Sequence, residues 1–129
     1  IKVSTQFIYR KFDRICASSV SKAGGGKLKS EGLTRAKMNV KILHNALKRK
    51  KFSFISKNLI NDLEAVTFRY FKRVARIKDI LKNLGLEATS MSGSGPAVFS
   101  IVKSRKEAAE IKRQLKGLKF CRVIVVKTY

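Results

Sequence analysis

Met91-Ser92-Gly93-Ser94-Gly95-Pro96-Ala97-Val98-Phe99 joins two small-residue hinges to an apolar run that reads as a buried strand. Glycine at 93 and 95 permits positive φ and close approach by another backbone or a phosphate, while Ser92 and Ser94 add hydroxyls suited to anionic oxygens. A serine-glycine turn entering a strand is more often a plain connection than a ligand cradle, so the residues around it must decide.

On the amino-terminal side of this turn, Leu63, Val66, Tyr70, Val74, Ile77, Leu81 and Leu84 recur at steps of three and four. That spacing predicts one long amphipathic helix, opened by a capping box at Asn61 and Glu64 and stopped by Gly85 at its C′ position. Asp62 and Glu64 are then expected to favour the helix dipole rather than to form a catalytic carboxylate pair. Directly around the turn, Glu87–Met91 and Ala97–Val102 read as two short strands, the second apolar on both faces and so expected to be buried on both. Ser104 and Glu107 form a second capping box, for a helix with Ala108, Ile111 and Leu115 on its inner face and Gly117 after it. Phe120 to Lys127 is expected to be the last strand.

Further out, Ser4-Thr5 is placed to cap a helix whose stripe is Ile8, Phe12 and Ile15, running to about Ala17. Residues 18–32, with Gly24-Gly25-Gly26, are expected to form a loop. No strand leads into that triple glycine and no Lys-Ser/Thr follows it directly as in a P-loop, so a phosphate loop is not indicated. Thr34 is expected to open a helix with Met38, Ile42 and Ala46 or Leu47 on one face. His44 stands alone in it, without the further ligands a zinc site needs. The order of helices, strand, strand, helix, strand is α+β, with a small mostly antiparallel sheet covered on one side. It shows half of a ferredoxin-like split β-α-β unit and is expected to lack its first strand, which would precede Ile1.

A chain of 129 residues, 44% hydrophobic and with eight Phe, has the size of one domain with one core. It has no run of about 18 apolar residues and no secretory pattern at its start, so no membrane partner and a cytoplasmic location are expected. The start at Ile1 without methionine leads to the expectation of a piece of a longer polypeptide. Cys16 and Cys121 are far apart and lack a C-x-x-C partner; both are expected to be buried thiols. Thirty Lys and Arg against eight acids give a net charge of +22, a field that attracts polyanions. These charges are spread along the polar faces of helices with no aromatic-rich RNA motif among them, so a solvated surface is favoured over nucleic-acid binding.

Four stretches in order, Val3-Ser4-Thr5 with Tyr9, Asn61-Asp62-Leu63-Glu64, Met91 to Phe99, and Val125-Val126-Lys127-Thr128, resemble the carboxyl-terminal domain of the GHMP kinase superfamily. This superfamily is named for galactokinase, homoserine kinase, mevalonate kinase and phosphomevalonate kinase, and the resemblance covers the domain from end to end. It implies transfer of the γ-phosphoryl of ATP, with magnesium (Mg2+), to the 2-hydroxyl of 4-diphosphocytidyl-2-C-methyl-D-erythritol in the non-mevalonate route to isoprenoid precursors. Such transfer is mostly positioning and charge stabilisation. The resemblance assigns Ser92, Gly93, Ser94 and Gly95 to support of the ATP site, Tyr9 to stacking on the cytosine ring, and Thr5 to the same cleft wall. It places the main phosphate loop and the catalytic Asp and Lys in an amino-terminal domain absent from this chain. No catalytic residue and no metal ligand is therefore expected here, and the chain alone is expected to be inactive. Two other readings stay open: a basic α+β module that binds RNA, and the equivalent domain of homoserine kinase, which carries a similar serine-glycine stretch.

Overall fold

The computed structural model describes residues 1–21 and 40–127. The expectations for Gly24-Gly25-Gly26, for Thr34 and Met38, and for Thr128 lie outside the described residues. Within them the elements run α1 (Thr5–Ser21), α2 (Val40–Lys48), α3 (Phe52–Asn58), α4 (Glu64–Tyr70), α5 (Lys72–Asn83), β1 (Thr89–Met91), β2 (Val98–Ser100), α6 (Arg105–Gln114) and a closing 3-10 turn (Leu115–Gly117). The fold is α+β.

Helix α1 starts as its sequence dictates: the Ser4 hydroxyl accepts the Phe7 N–H at 3.3 Å and the Ser4 carbonyl accepts the Ile8 N–H. It runs one turn beyond Ala17, to Ser21, because the serines and Val20 that follow do not forbid helix when no Gly or Pro intervenes before Gly24. Ile8 is fully buried and Phe12 packs beside it, whereas Ile15 is 40% exposed. In α2 the inward residues are Leu43 and Ala46; Ile42 is 51% exposed, contrary to the expected stripe. The cause is α3, a helix the sequence reading did not anticipate. It follows a turn in which Lys50 has φ 50° and inserts the fully buried Ile55 between Ala46 and Ala88, which sets the orientation of α2.

The long helix is two. Phe71, at φ −123° and ψ 73°, is not helical and separates α4 from α5. Its N–H still bonds the Thr67 carbonyl and its carbonyl accepts the Val74 N–H, so one residue is lost from the spiral and the 3–4 spacing survives in sequence. The consequence falls on side chains. Phe71 turns into the cluster of Ile8, Leu63, Val66, Val74 and Met91, and Tyr70 swings out to meet Phe7 edge-on at 5.3 Å between ring centroids. Fully burying a side chain such as Ile8 or Val74 stabilises by roughly 1.5–3 kcal/mol, and both sit at this junction of α1, α4 and α5.

The sheet is a two-stranded antiparallel ribbon with Thr89 opposite Ser100, Ser90 opposite Phe99 and Met91 opposite Val98. β1 is buried throughout, but β2 is not: Val98 and Ser100 are half-buried and Phe99 is 42% exposed. By the period of two, Phe99 points to the face opposite that of Val98, which packs with Met91 on the cluster of Ile8 and Val74. Phe120 to Lys127 forms no strand among the described residues. Its alternation is that of a strand, yet no neighbouring edge reaches it, and Ile124 and Val126 are 66% and 76% exposed. Cys16 and Cys121 are half-buried rather than buried; Cys121 lies in this unpaired stretch. The box at Ser104 holds, with Glu107 N–H on the Ser104 hydroxyl at 3.1 Å, while the Glu107 carboxylate takes the N–H of Lys103 at 2.7 Å rather than that of Ser104.

Candidate functional site: the serine-glycine bend

The bend between β1 and β2 is held by side chains from three helical segments. Ahead of α4, the Asn61 amide Nδ2 donates to the carbonyls of Met91 and Gly93, both at 2.8 Å, while its Oδ1 accepts the Leu63 N–H at 3.0 Å. From α4, the buried Thr67 hydroxyl donates to the Ser94 carbonyl at 3.2 Å. From the first turn of α1, Thr5 Oγ1 lies 2.9 Å from Ser94 Oγ. Glu64 completes the set. One carboxylate oxygen accepts the Met91 N–H at 2.7 Å and the Ser90 hydroxyl at 3.1 Å, and the other forms an ion pair with Lys78 of α5.

These bonds correct the expected capping box. Glu64 does not turn back to cap the helix, because its carboxylate is taken by β1 and Lys78. The Asn61 amide bridges to the bend. The explanation is tertiary: β1 lies close enough to the start of α4 that an otherwise unpaired Met91 N–H is satisfied there. Asp62 is exposed and stands apart from this network.

Inside the bend, Ser92 N–H bonds the Ala97 carbonyl at 2.8 Å and Gly95 N–H bonds the Ser92 carbonyl at 3.0 Å. The carbonyls of residues 91 to 94 thus all accept hydrogen bonds from within the protein. The N–H groups of Gly93 and Ser94, by contrast, have no partner among the described residues. A loop whose carbonyls are satisfied while two of its N–H groups are left unpaired is suited to an anionic oxygen. Gly93 at φ 55° and Gly95 at φ 88° make this possible, and the Gly95-Pro96 peptide is cis. A Cβ at Gly95 would sit 3.0 Å from Met91 Sδ and 3.3 Å from Thr67 Cγ2, whereas at Gly93 it would meet nothing within 4 Å. Ser92 and Gly93 are exposed; Ser94 is 8% exposed. Ser92 is therefore accessible, whereas the Ser94 hydroxyl is committed to Thr5.

Thr5 and Tyr9 are four residues apart on α1, hence on one face about 6 Å along the axis. Tyr9 is 50% exposed, and the ring pairs of this region, Phe7 with Tyr70 and Phe7 with Phe71, do not include it. The structure so brings Thr5, Ser94 and the rest of the bend into contact and sets Tyr9 one turn further along the same face. The sequence reading missed Thr67 and Lys78 altogether. A threonine set beside the apolar stripe at Leu63 and Val66 was the available signal for the first. His44 is exposed, and no three His, Cys, Asp or Glu side chains cluster as for a metal ion among the described residues.

A family model described as GHMP kinases C terminal matches residues 42–118, from α2 through the bend to the closing 3-10 turn. The chain belongs to this family. This GHMP kinase C-terminal domain is 31% identical over 128 residues to the 4-diphosphocytidyl-2-C-methyl-D-erythritol kinase of Caldicellulosiruptor bescii, a match covering 99% of this chain and 38% of that protein. It is 33% identical over 91 residues to the enzyme of the same name from Limosilactobacillus reuteri (70% of this chain, 31% of that protein). To that of Bacillus velezensis it is 37% identical over 83 residues (64% and 28%). The GHMP domain thus spans about a third of the length of these curated relatives. No solved structure matches it.

Proposed function

We propose that this chain is the carboxyl-terminal domain, over residues 1–129, of an ATP-dependent cytoplasmic kinase that phosphorylates the 2-hydroxyl of 4-diphosphocytidyl-2-C-methyl-D-erythritol. The bend at Ser92, Gly93, Ser94 and Gly95 supports the phosphates of ATP, and Tyr9 provides a shelf for the cytosine ring beside Thr5. The observation that carries this reading is the Thr5–Ser94 contact at 2.9 Å, which joins the proposed cytidyl wall to the proposed phosphate bend. The N–H groups of Gly93 and Ser94, unpaired among the described residues, fit a phosphate oxygen; the donor set around them holds no carboxylate cluster, so none of these residues is assigned to magnesium. In a phosphoryl transfer the metal neutralises charge building on the phosphates. This chain's own part is to fix the bend by Asn61, Thr67 and Glu64 and to offer donors there, while the reacting groups belong to an amino-terminal domain.

Stacking a base on an aromatic face contributes about 1–3 kcal/mol, which converts to a rise of roughly 5- to 150-fold in KM where KM follows affinity. In the full-length kinase, Tyr9→Ala is expected to raise KM for the cytidyl substrate by an amount in that range and leave KM for ATP unchanged. Equal effects on both substrates, or none, remove the cytosine role. The chain by itself is expected to give no turnover with ATP and the cytidyl substrate; measurable turnover refutes the assignment of chemistry to another domain.

A further inference from the structure

The ion pair of Glu64 and Lys78 lies behind the bend, and what it holds is one residue, Met91. The two side chains are only 15% and 13% exposed. Lys78 Nζ also lies 5.7 Å from the centroid of the Phe68 ring, so the cation sits between a carboxylate and an aromatic face. One turn before it on α5, Val74 is fully buried. On the other side of the pair, Glu64 Oε1 accepts the Met91 N–H at 2.7 Å and the Ser90 hydroxyl at 3.1 Å, while the Asn61 amide donates to the Met91 carbonyl at 2.8 Å. Met91, the last residue of β1, is thus gripped at both backbone groups. It is 2% exposed, and its side chain lies against Gly95, where a Cβ would come within 3.0 Å of Met91 Sδ. The bend rests on Met91, and Met91 rests on Glu64.

A carboxylate this far from water keeps its place only when its charge is paired and its oxygens are hydrogen-bonded. Met91 and Ser90 occupy one oxygen of Glu64, and Lys78 pairs with the other. Without the cation the carboxylate is drawn toward water, and the Met91 N–H loses its acceptor. The bend is then held by Asn61, Thr67 and Thr5 alone, while its two unpaired donors, the N–H groups of Gly93 and Ser94, follow Met91 by two and three residues. Donors aimed at an anionic ligand must be held to within about 0.5 Å. We infer that Lys78 is a positioning residue for the ATP site: it touches no substrate and acts through Glu64 and Met91 to hold the bend where its free N–H groups meet a phosphate. The inference rests on the proposed reading of the bend as a support for the phosphates of ATP.

The test uses the full-length kinase. Lys78→Met is expected to raise KM for ATP about tenfold and to leave KM for the cytidyl substrate within about twofold of the parent. Adding Glu64→Gln removes the stranded charge and keeps an oxygen for the Met91 N–H, so the double variant is expected to recover most of the ATP affinity. Ile55→Val, which loosens the separate cluster of Ala46 and Ala88, controls for loss of stability and is expected to leave both KM values unchanged. The amides of Ser92 and Gly95, bonded inside the bend, are expected to exchange about tenfold faster in Lys78→Met than in Ile55→Val. An ATP KM unmoved by Lys78→Met, or a double variant at least as impaired as the single one, overturns the inference. A parent kinase that does not turn over ATP and the cytidyl substrate refutes instead the proposed reaction. The exchange comparison still decides the role of Lys78 in that case, and equal rates at Ser92 and Gly95 overturn it.

Discussion

At the scale of single residues, the bend depends on groups that satisfy its carbonyls from behind. Asn61 alone takes two of them. Asn61→Ala leaves the Met91 and Gly93 carbonyls without those donors, and is expected to lower unfolding free energy by about 1–3 kcal/mol, read as a shift in urea midpoint at unchanged slope. Gly95 and Gly93 differ although both have positive φ. Gly95→Ala combines backbone strain with contact on Met91 Sδ and Thr67 Cγ2 and is expected to cost about 1–3 kcal/mol or more. Gly93→Ala meets open space and is expected to cost about 1 kcal/mol. Equal midpoints for the two variants would refute the role of close packing at Gly95. The repeated glycines were legible in the sequence as a bend; which of them is crowded was not, because Thr67 comes from a helix 28 residues away.

At the scale of elements, the break at Phe71 and the ion pair from Glu64 to Lys78 tie α4, α5 and β1 together. Lys78→Met removes the cation and leaves a half-buried carboxylate with two neutral donors. A loss of about 1.5–3 kcal/mol is expected, with faster exchange at the Met91 amide as the local readout. On α6, by contrast, Glu110 is at the surface, and its carboxyl is held down to about 2, first by hydrogen bonding to Arg113, then to Gln114. A lowered folded value contributes stability above the ordinary carboxylate range that is lost as pH falls through about 2. The carboxyl resonance of Glu110 is therefore expected to titrate well below that of an unpaired glutamate in an NMR titration at low salt. High salt should move it back. Elements with one strong local signal, such as the cap at Ser104, were legible in the sequence. Helix α3 and the break at Phe71 were not: α3 is only seven residues long, and one lost helical residue leaves a spacing of three and four intact.

At the scale of the whole molecule, the net charge of +22 exceeds what binding a diphosphate requires. Part of it is used in place: Lys11 sits over the rings of Phe7 and Tyr70 at 5.4 and 5.3 Å, and Arg76 over Phe120 at 5.5 Å. Polyanion binding through the remainder is expected to be non-specific and to fall steeply with salt. In a titration with single-stranded RNA, micromolar affinity surviving at physiological ionic strength would contradict this and favour the RNA-binding reading. No helix among the described residues is long and apolar enough to cross a membrane.

The succession of β1, bend, β2 and α6, and the start of α1, were determined by the sequence itself, since caps, glycines and short-range periodicity act within a few residues. What only the tertiary structure decided is how those pieces are used. Asn61 and Glu64 cap a helix in one dimension and clamp a strand in three, because β1 arrives beside them with unsatisfied backbone groups. Residues 120–127 have the alternation of a strand and remain outside the ladder, because a strand is completed by a neighbour's hydrogen bonds, and pattern along one segment cannot supply the neighbour.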